Sequence, residues 1–388
     1  MADSSEYTVH QATFKNGDKL KKNQDSKSIW LNYSDIDPEN ELLQFTSNLV
    51  GFIGVYDGHG NGYGLHISHF TKVFIETYVK SNWESINSNF ERAINEMFNL
   101  LSINLRIDLK ELSEKTYYET RVVGVDAPVG KNYNYIEYKL HKESLWSIMR
   151  GGTTVSLQFF LENGESYHVH LGDSECIVFK KKQVDCDYNR DESIVNEVRD
   201  KPKYETSYEV PTTNHSPDSL EQYIRVTENY GDNAGRFIYD QHGLVNSNIP
   251  VFNNNKLRDP NMLYKLGKNV YHKNVEGEWA TLFTDKNNTD CLAFVCSMGD
   301  YFLLQAGLSD EPTIVKTDLT AVSSILLASD GLWDNWKKEN LKDYYFKLEN
   351  GKNTDYDIFT KIMDKTNKEA KQNFGSSRDD ITAVMVIF

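Results

Sequence analysis

Cysteine is scarce in these 388 residues: Cys176, Cys186, Cys291 and Cys296 have neither the paired spacing of a zinc site nor the density of a secreted disulfide scaffold. Reduced thiols are therefore expected, and with them an intracellular setting, cytoplasmic or nuclear. Long hydrophobic runs are missing as well. No apolar stretch reaches the roughly eighteen residues of a membrane span, and the richest, Leu49–Tyr56 and Ser323–Ala328, have the length of strands. Met1–Gln11 lacks the apolar core of a signal peptide, and Ala2 stands where N-myristoylation requires glycine. Positive charge is in deficit: 42 Lys and Arg face 57 Asp and Glu, a net charge of -15, with no basic run. Such a surface repels a phosphate backbone, so neither nucleic acid nor membrane is an expected partner. Nothing calls for an oligomer, and a monomer is expected.

The apolar fraction, 39%, lies under the roughly 45–50% of globular domains, so long polar loops must carry the difference. The chain is still long enough to bury a sizeable core. Leu49–Tyr56 is apolar on both faces and stops at Asp57-Gly58, which reads as a buried strand ended by a turn. Ile67, Phe70, Val73, Phe74 and Thr77 outline one helix face; Phe90, Ile94, Met97, Phe98, Leu101 and Leu105 outline a second. Thr153–Leu161, Ser166–Leu171 and Glu175–Phe179 predict a three-stranded meander. Further strands are expected at Thr313–Thr317, Ser323–Ser329 and Ile381–Phe388, and a helix with Ile358, Phe359, Ile362, Met363, Thr366 and Ala370 inward. Strands and helices come in blocks without βαβ alternation, which favours an α+β domain on antiparallel sheet. Residues 1–14 are expected to form an N-terminal tail and 15–388 one domain, with loops or insertions near 115–150, 180–213 and 229–290.

Aspartate recurs where strand candidates end: Asp57-Gly58, Gly172-Asp173, Asp330-Gly331 and Asp379-Asp380. An isolated Asp-Gly is usually a turn that needs a positive φ. If packed sheets bring these ends to one edge, however, the carboxylates repel one another unless cations neutralise them. All the donors are oxygens, which suits Mg²⁺ or Mn²⁺ over zinc or copper. Two such ions about 3.5–4 Å apart would activate water and cancel charge on a phosphoryl group. Spacing alone leaves this reading level with four separate solvated turns.

The wording of the motifs adds a second line of argument. VYDGHGN (Val55–Asn61), GGTTVSLQFF with HLGDSE (Gly151–Phe160, His170–Glu175), LAFVCSMGD (Leu292–Asp300), LLASDGLWD (Leu326–Asp334) and SRDDITAVMV (Ser377–Val386) resemble, in order, the signature segments of the metal-dependent protein phosphatases, the protein phosphatase 2C family. NQDS (Asn23–Ser26) resembles the first motif, and the match runs from about residue 15 to the end of the sequence. The resemblance implies two packed antiparallel sheets, a β-sandwich, flanked by helices on both sides. It implies Mg²⁺/Mn²⁺-dependent hydrolysis of phosphoserine and phosphothreonine in proteins, by a metal-bridging hydroxide attacking in line. By position, Asp57 and the carbonyl of Gly58 would hold the ions together with Asp330 and Asp379, and Asp25 would act through water. Asp173, Asp330 and Asp334 would hold a third, weaker ion, and a helical turn at Gly331–Asp334 would set the last two on one side. His59 would protonate the leaving oxygen; its ordinary pKa near 6.5 suits that task. His168 and His170 are expected to be structural or surface residues.

The sequence also departs from the pattern. Leu20 stands where the family carries an Arg that grips the substrate phosphate; Lys19, Lys21 and Lys22 around it offer charge without a guanidinium's two-pronged grip. Asn61 replaces a Gly, Glu175 an Arg and Asp380 an Asn. Leu20 and the insertions leave open a weakly active or inactive relative that binds phosphoproteins or a regulatory partner. A metal nuclease conflicts with the acidic charge. The stretch 229–290 includes the region where the family places a variable flap, so it is expected to tune substrate choice.

Overall fold

The computed structural model describes residues 7–17, 22–32, 34–35, 42–45, 49–60, 62–126, 132–184, 203–212, 215–240, 249–259, 279–287, 290–351 and 353–388. Two six-stranded antiparallel sheets form its centre. One runs, edge to edge, Lys203–Glu209, Glu175–Val184, Val322–Ala328, Ile381–Ile387, Tyr7–Phe14, Leu42–Phe45. The other runs Thr313–Thr317, Ser166–Leu171, Val155–Phe160, Gly51–Tyr56, Ser26–Leu31, Ser34–Asp35.

Alternation along the strands separates the layers. Ile53, Val55, Cys176, Val178, Ile325, Leu327, Val384 and Val386 meet between the sheets. The opposite faces are covered by helices. Phe52, Tyr56, Leu157 and Phe159 pack against Ile94, Met97, Phe98 and Leu101 of the long helix Phe90–Thr116. Ile177, Phe179, Leu326 and Met385 pack against helices Lys338–Asn350 and Asp355–Asn373. Helix, sheet, sheet and helix therefore stack as expected, and burial on both faces explains why the strands read as continuous apolar runs.

Several expectations need correcting. Tyr7–Phe14, assigned to a tail, is a strand between Ile381–Ile387 and Leu42–Phe45. In helix Gly64–Ser81 the buried stripe is Ile67, Thr71, Ile75 and Val79, while Val73 and Thr77 face water. Ser68 and Thr71 are buried polar residues, which a count of apolar positions passes over. The Asp57-Gly58 turn is instead a passage: Gly58–His59 continues as a short strand on Gly152–Thr153. Residues 115–150, expected as a loop or insertion, contain the hairpin of Glu119–Asp126 and Asn132–Lys139. It is stapled by stacked Tyr117 and Tyr138 rings 3.8 Å apart and by Arg121 and Lys139 over Trp146. Within 180–213, the Glu175–Val184 strand pairs with Lys203–Glu209; within 229–290, Arg236–Tyr239 pairs with Thr281–Thr284. Among the described residues no helix is long and apolar enough to cross a membrane.

The space between the sheets also holds polar groups. Gln158 Nε2 donates to Ser166 Oγ at 2.6 Å and to Thr317 Oγ1 at 3.2 Å. His168, expected to be a structural or surface residue, is fully buried and neither ring nitrogen has a hydrogen-bond partner. Burial holds its pKa well below the ordinary value, and neighbouring His170 adds to the effect. Below about pH 6.5 the unfolded chain takes up a proton that the folded chain refuses, so stability falls with pH. His168→Leu is expected to raise stability by about 1–2 kcal/mol at neutral pH. The gain should widen by about 1.4 kcal/mol for each pH unit below the unfolded pKa. Urea unfolding at neutral pH and at about pH 5 measures both; a gain that does not widen refutes the assignment.

Candidate active site

Strand register alone brings the acidic positions to one end of the sandwich. Ser26 lies opposite Tyr56, Val55 opposite Ser156, and Val155 opposite Leu171. Glu175 lies opposite Ala328, which lies opposite Ala383. Asp25, Asp57, Asp173, Asp330 and Asp379 flank these rungs, so residues hundreds of positions apart share one edge. Asp57, Asp173, Asp330 and Asp379 line a single cavity of about 430 Å³ with Gly58 and His59. Asp334 faces an adjoining groove of about 750 Å³ that Asp173 and Asp330 also line. The helical turn expected there is present as Asp330–Trp333, with the Asp334 amide donating to the Asp330 carbonyl at 2.8 Å.

Asp57 is pinned through its backbone. Its carbonyl accepts from the Thr154 amide at 2.8 Å and from Thr153 Oγ1 at 2.9 Å, and its own amide donates to Thr154 Oγ1 at 3.2 Å. A side chain at position 58 would run into the carbonyls of Gly64 and Gln24, 2.5 and 2.6 Å from its Cβ, so glycine is required by close approach. Burial raises the Asp57 pKa well above the carboxylate range, and Asp25, Asp330, Asp379 and Asp173 push it the same way. Asp25 is raised to about 7, first by burial and then by Asp380 and Asp379. Its two oxygens are shut off from solvent with no donor in hydrogen-bond geometry, although Thr382 and Asp57 lie close enough to moderate the shift.

This donor set fits a hard divalent cation: it is all oxygen, it is crowded with like charge, and Asp25 holds two buried oxygens without donors. Among the described residues, no group of three or more carboxylate, imidazole or thiolate side chains already stands in ligating positions. Proximity is built in, and the final approach of the oxygens is not.

His59 and its support complete the wall. Nε2 lies 2.6 Å from Oδ2 of Asp300 and the ring meets Phe294 edge-on at 4.9 Å. Burial would depress the His59 pKa, but the charge and hydrogen bond of Asp300, helped by Asp173, raise it overall. Asp300 in turn accepts from Ser297 Oγ at 2.8 Å and from the Gly151 amide at 3.3 Å. Gly152 makes room for the pair, since a Cβ there would lie 2.2 Å from Asp300 Oδ2 and 2.8 Å from His59 Nε2. Asp300 closes the LAFVCSMGD motif, and the sequence alone assigns it no task. Its signal was present, a Gly299-Asp300 pair at the end of an apolar segment. Asp380 stood in the sequence only as a replacement for Asn. It is buried and accepts from the backbone amides of Asn16 at 2.6 Å and Gln24 at 2.9 Å, tying the first loop to the last strand. Glu175 pairs with Lys338 at 2.5 Å. Lys22 lines the cavity, whereas Lys19, Leu20, Lys21 and Asn61 lie outside the described residues.

Comparison with known proteins places the sandwich among solved folds. The chain superposes on the crystal structure of serine-threonine phosphatase 2C from Toxoplasma gondii with a TM-score of 0.54 and 17% identity, covering 99% of this chain and 95% of that one. It superposes on a C. elegans sex determining protein with a TM-score of 0.53 and 15% identity, covering 98% of this chain and 64% of that one. The resemblance read from the motifs thus holds at the level of the fold. No protein-family model and no curated protein matches the sequence.

Repulsion within the cluster has a measurable cost. Because the Asp25 pKa is raised from 3.8 to about 7 on folding, its contribution to stability is lost as pH rises through that value. Without divalent ions at about pH 8, Asp25→Asn is expected to be more stable than the wild type by about 2–4 kcal/mol, converging with it near pH 4. Chemical unfolding in chelator measures this. Equal stabilities at the higher pH would refute it.

Proposed function

We propose that this chain is a Mg²⁺- or Mn²⁺-dependent phosphoprotein serine/threonine phosphatase. The observation that carries the reading is the convergence of Asp57, Asp173, Asp330 and Asp379 with His59 on one cavity at the strand ends. The sandwich fold shared with a serine-threonine phosphatase 2C supports it. Asp57, the Gly58 carbonyl, Asp330 and Asp379 would hold two ions, with Asp25 acting through water. Asp173, Asp330 and Asp334 would hold a third, weaker one. When bound, the ions supply Lewis acidity toward a phosphoryl group and its attacking water.

The chain's own residues do the rest. Thr153 and Thr154 fix the Asp57 backbone, so its carboxylate is presented to the cavity from a set direction. The Asp300 carboxylate requires a proton on His59 Nε2. The second proton of the imidazolium is then on Nδ1, a buried atom beside the Asp57 backbone, and as the general acid His59 would give one proton to a departing Ser or Thr oxygen and return to the neutral ring. Lys22 offers a point charge for the substrate phosphate, with Lys19 and Lys21 beside it in sequence. The alternative, an inactive relative that only binds phosphoproteins, is disfavoured because retaining crowded buried acids without an ion to neutralise them is costly.

Asp57→Asn and Asp379→Asn are expected to leave the fold intact and remove Mn²⁺-dependent hydrolysis of a phosphoserine peptide, with chelator abolishing wild-type turnover. Residual activity above about a tenth of wild type, a barrier change under about 1.4 kcal/mol, would contradict their roles. Hydrolysis of single-stranded DNA by the same preparation would contradict the reaction class. Asp300→Asn is expected to lower kcat more than KM. It should also move the alkaline fall of the rate to lower pH, because His59 loses the carboxylate that raises its pKa. A pH–rate profile that keeps its alkaline limb in place would remove Asp300 from this positioning role.

A further inference from the structure

A second cavity, of about 460 Å³, lies between the long helix Phe90–Thr116 and the Glu119–Lys139 hairpin. Its floor is apolar and closed, formed by buried Ile67, Leu109, Ile136, Met149 and Tyr301. Its lip is apolar and open: Ile103 is 42% exposed, Ile107 53% and Val122 45%. Positions 103, 106, 107 and 110 follow the i, i+3, i+4, i+7 spacing of one helix face, so Arg106 and Lys110 stand among these isoleucines.

Charge there runs against the rest of the molecule. In a chain of net charge -15, the cavity is lined by Arg106, Lys110 and Arg150. Among the described residues its one carboxylate, Asp300, is already engaged by His59, Ser297 and the Gly151 amide. Arg106 lies over the Tyr301 ring at 5.1 Å and donates from Nε to the Ser102 carbonyl at 3.1 Å, which fixes its position. The Lys110 pair with Glu114 is at the surface, where partners exchange at little cost, whereas Arg150 is held at the rim by two contacts to the largely buried Asp290, at 2.8 and 3.0 Å. Small-ligand sites combine these elements: a few hundred Å³, an apolar lining and a few convergent polar groups.

We propose that this cavity binds a small amphipathic anion, an apolar chain or ring against Ile103, Ile107, Val122 and Met149 with its acid group facing Arg106 and Lys110. The site stands apart from the acidic cavity and does not rest on the phosphatase reading. Its inner end is Gly151 and Asp300, the back of the His59 support.

Calorimetric titration of the full chain tests it, with decanoate, decanol and decyltrimethylammonium as probes below their aggregation limits. Decanoate is expected to bind saturably, one per chain, at least about tenfold more tightly than decanol, and the cation not at all. Lys110→Glu and Ile107→Asp, both at exposed positions where folding tolerates change, should each weaken decanoate by about tenfold or more. Lys368→Glu, on a distant helix, should change nothing. Absence of decanoate binding, equal affinity for decanol, or affinity unmoved by both cavity variants would overturn the proposal.

Discussion

Asp57 shares a poorly solvated space with Asp25, Asp173, Asp330 and Asp379, and these neighbours make its ionisation harder. Left to itself such a cluster would spread apart, because repulsion between like charges grows as water is removed. Covalent geometry and strand register prevent this. Each acid sits within a few residues of a paired rung in one of the two sheets, so moving a carboxylate outward means breaking ladder hydrogen bonds. Neighbouring groups are spent on holding the frame: Thr153 and Thr154 on the Asp57 backbone, Asp380 on the amides of Asn16 and Gln24.

The same constraint explains where glycine is needed. At Gly58 and Gly152 the backbone runs so close to carbonyls or to the His59–Asp300 pair that a methyl group has no room. These positions carry the cavity's shape. The acids carry its charge.

Much of this was legible in the residue order, for identifiable reasons. Gly51–Tyr56, Ser166–Leu171 and Ile381–Ile387 declared themselves because burial on both faces leaves few polar residues. Helix Asp355–Asn373 was read correctly because its inward face is almost wholly apolar. Helix Gly64–Ser81 was rotated in the reading because Ser68 and Thr71 are buried, and Ser68 donates to the Gln24 carbonyl at 2.5 Å. The Glu119–Lys139 hairpin was missed because its stability comes from aromatic and cation–π pairs on a largely exposed ribbon, which leaves no alternation to count. Convergence of the acids could be suspected from repetition, but it follows only from register. The part played by Asp300 depends on a partner 241 positions away, and no local pattern reports that.

The pairing of Tyr7–Phe14 with Ile381–Ile387 has a mechanical corollary. Thr8 faces Ile387 and Phe14 faces Ile381, so the two outermost strand segments enter the ladder from the same side. A force applied between residues 7 and 388 would act in peeling geometry, loading one rung at a time, whereas shear would load them all together. The tear would advance from Thr8 toward Phe14, and just past it the Asn16 amide is latched onto Asp380. Under tension, then, the direction of least resistance through this molecule leads to its most highly charged corner.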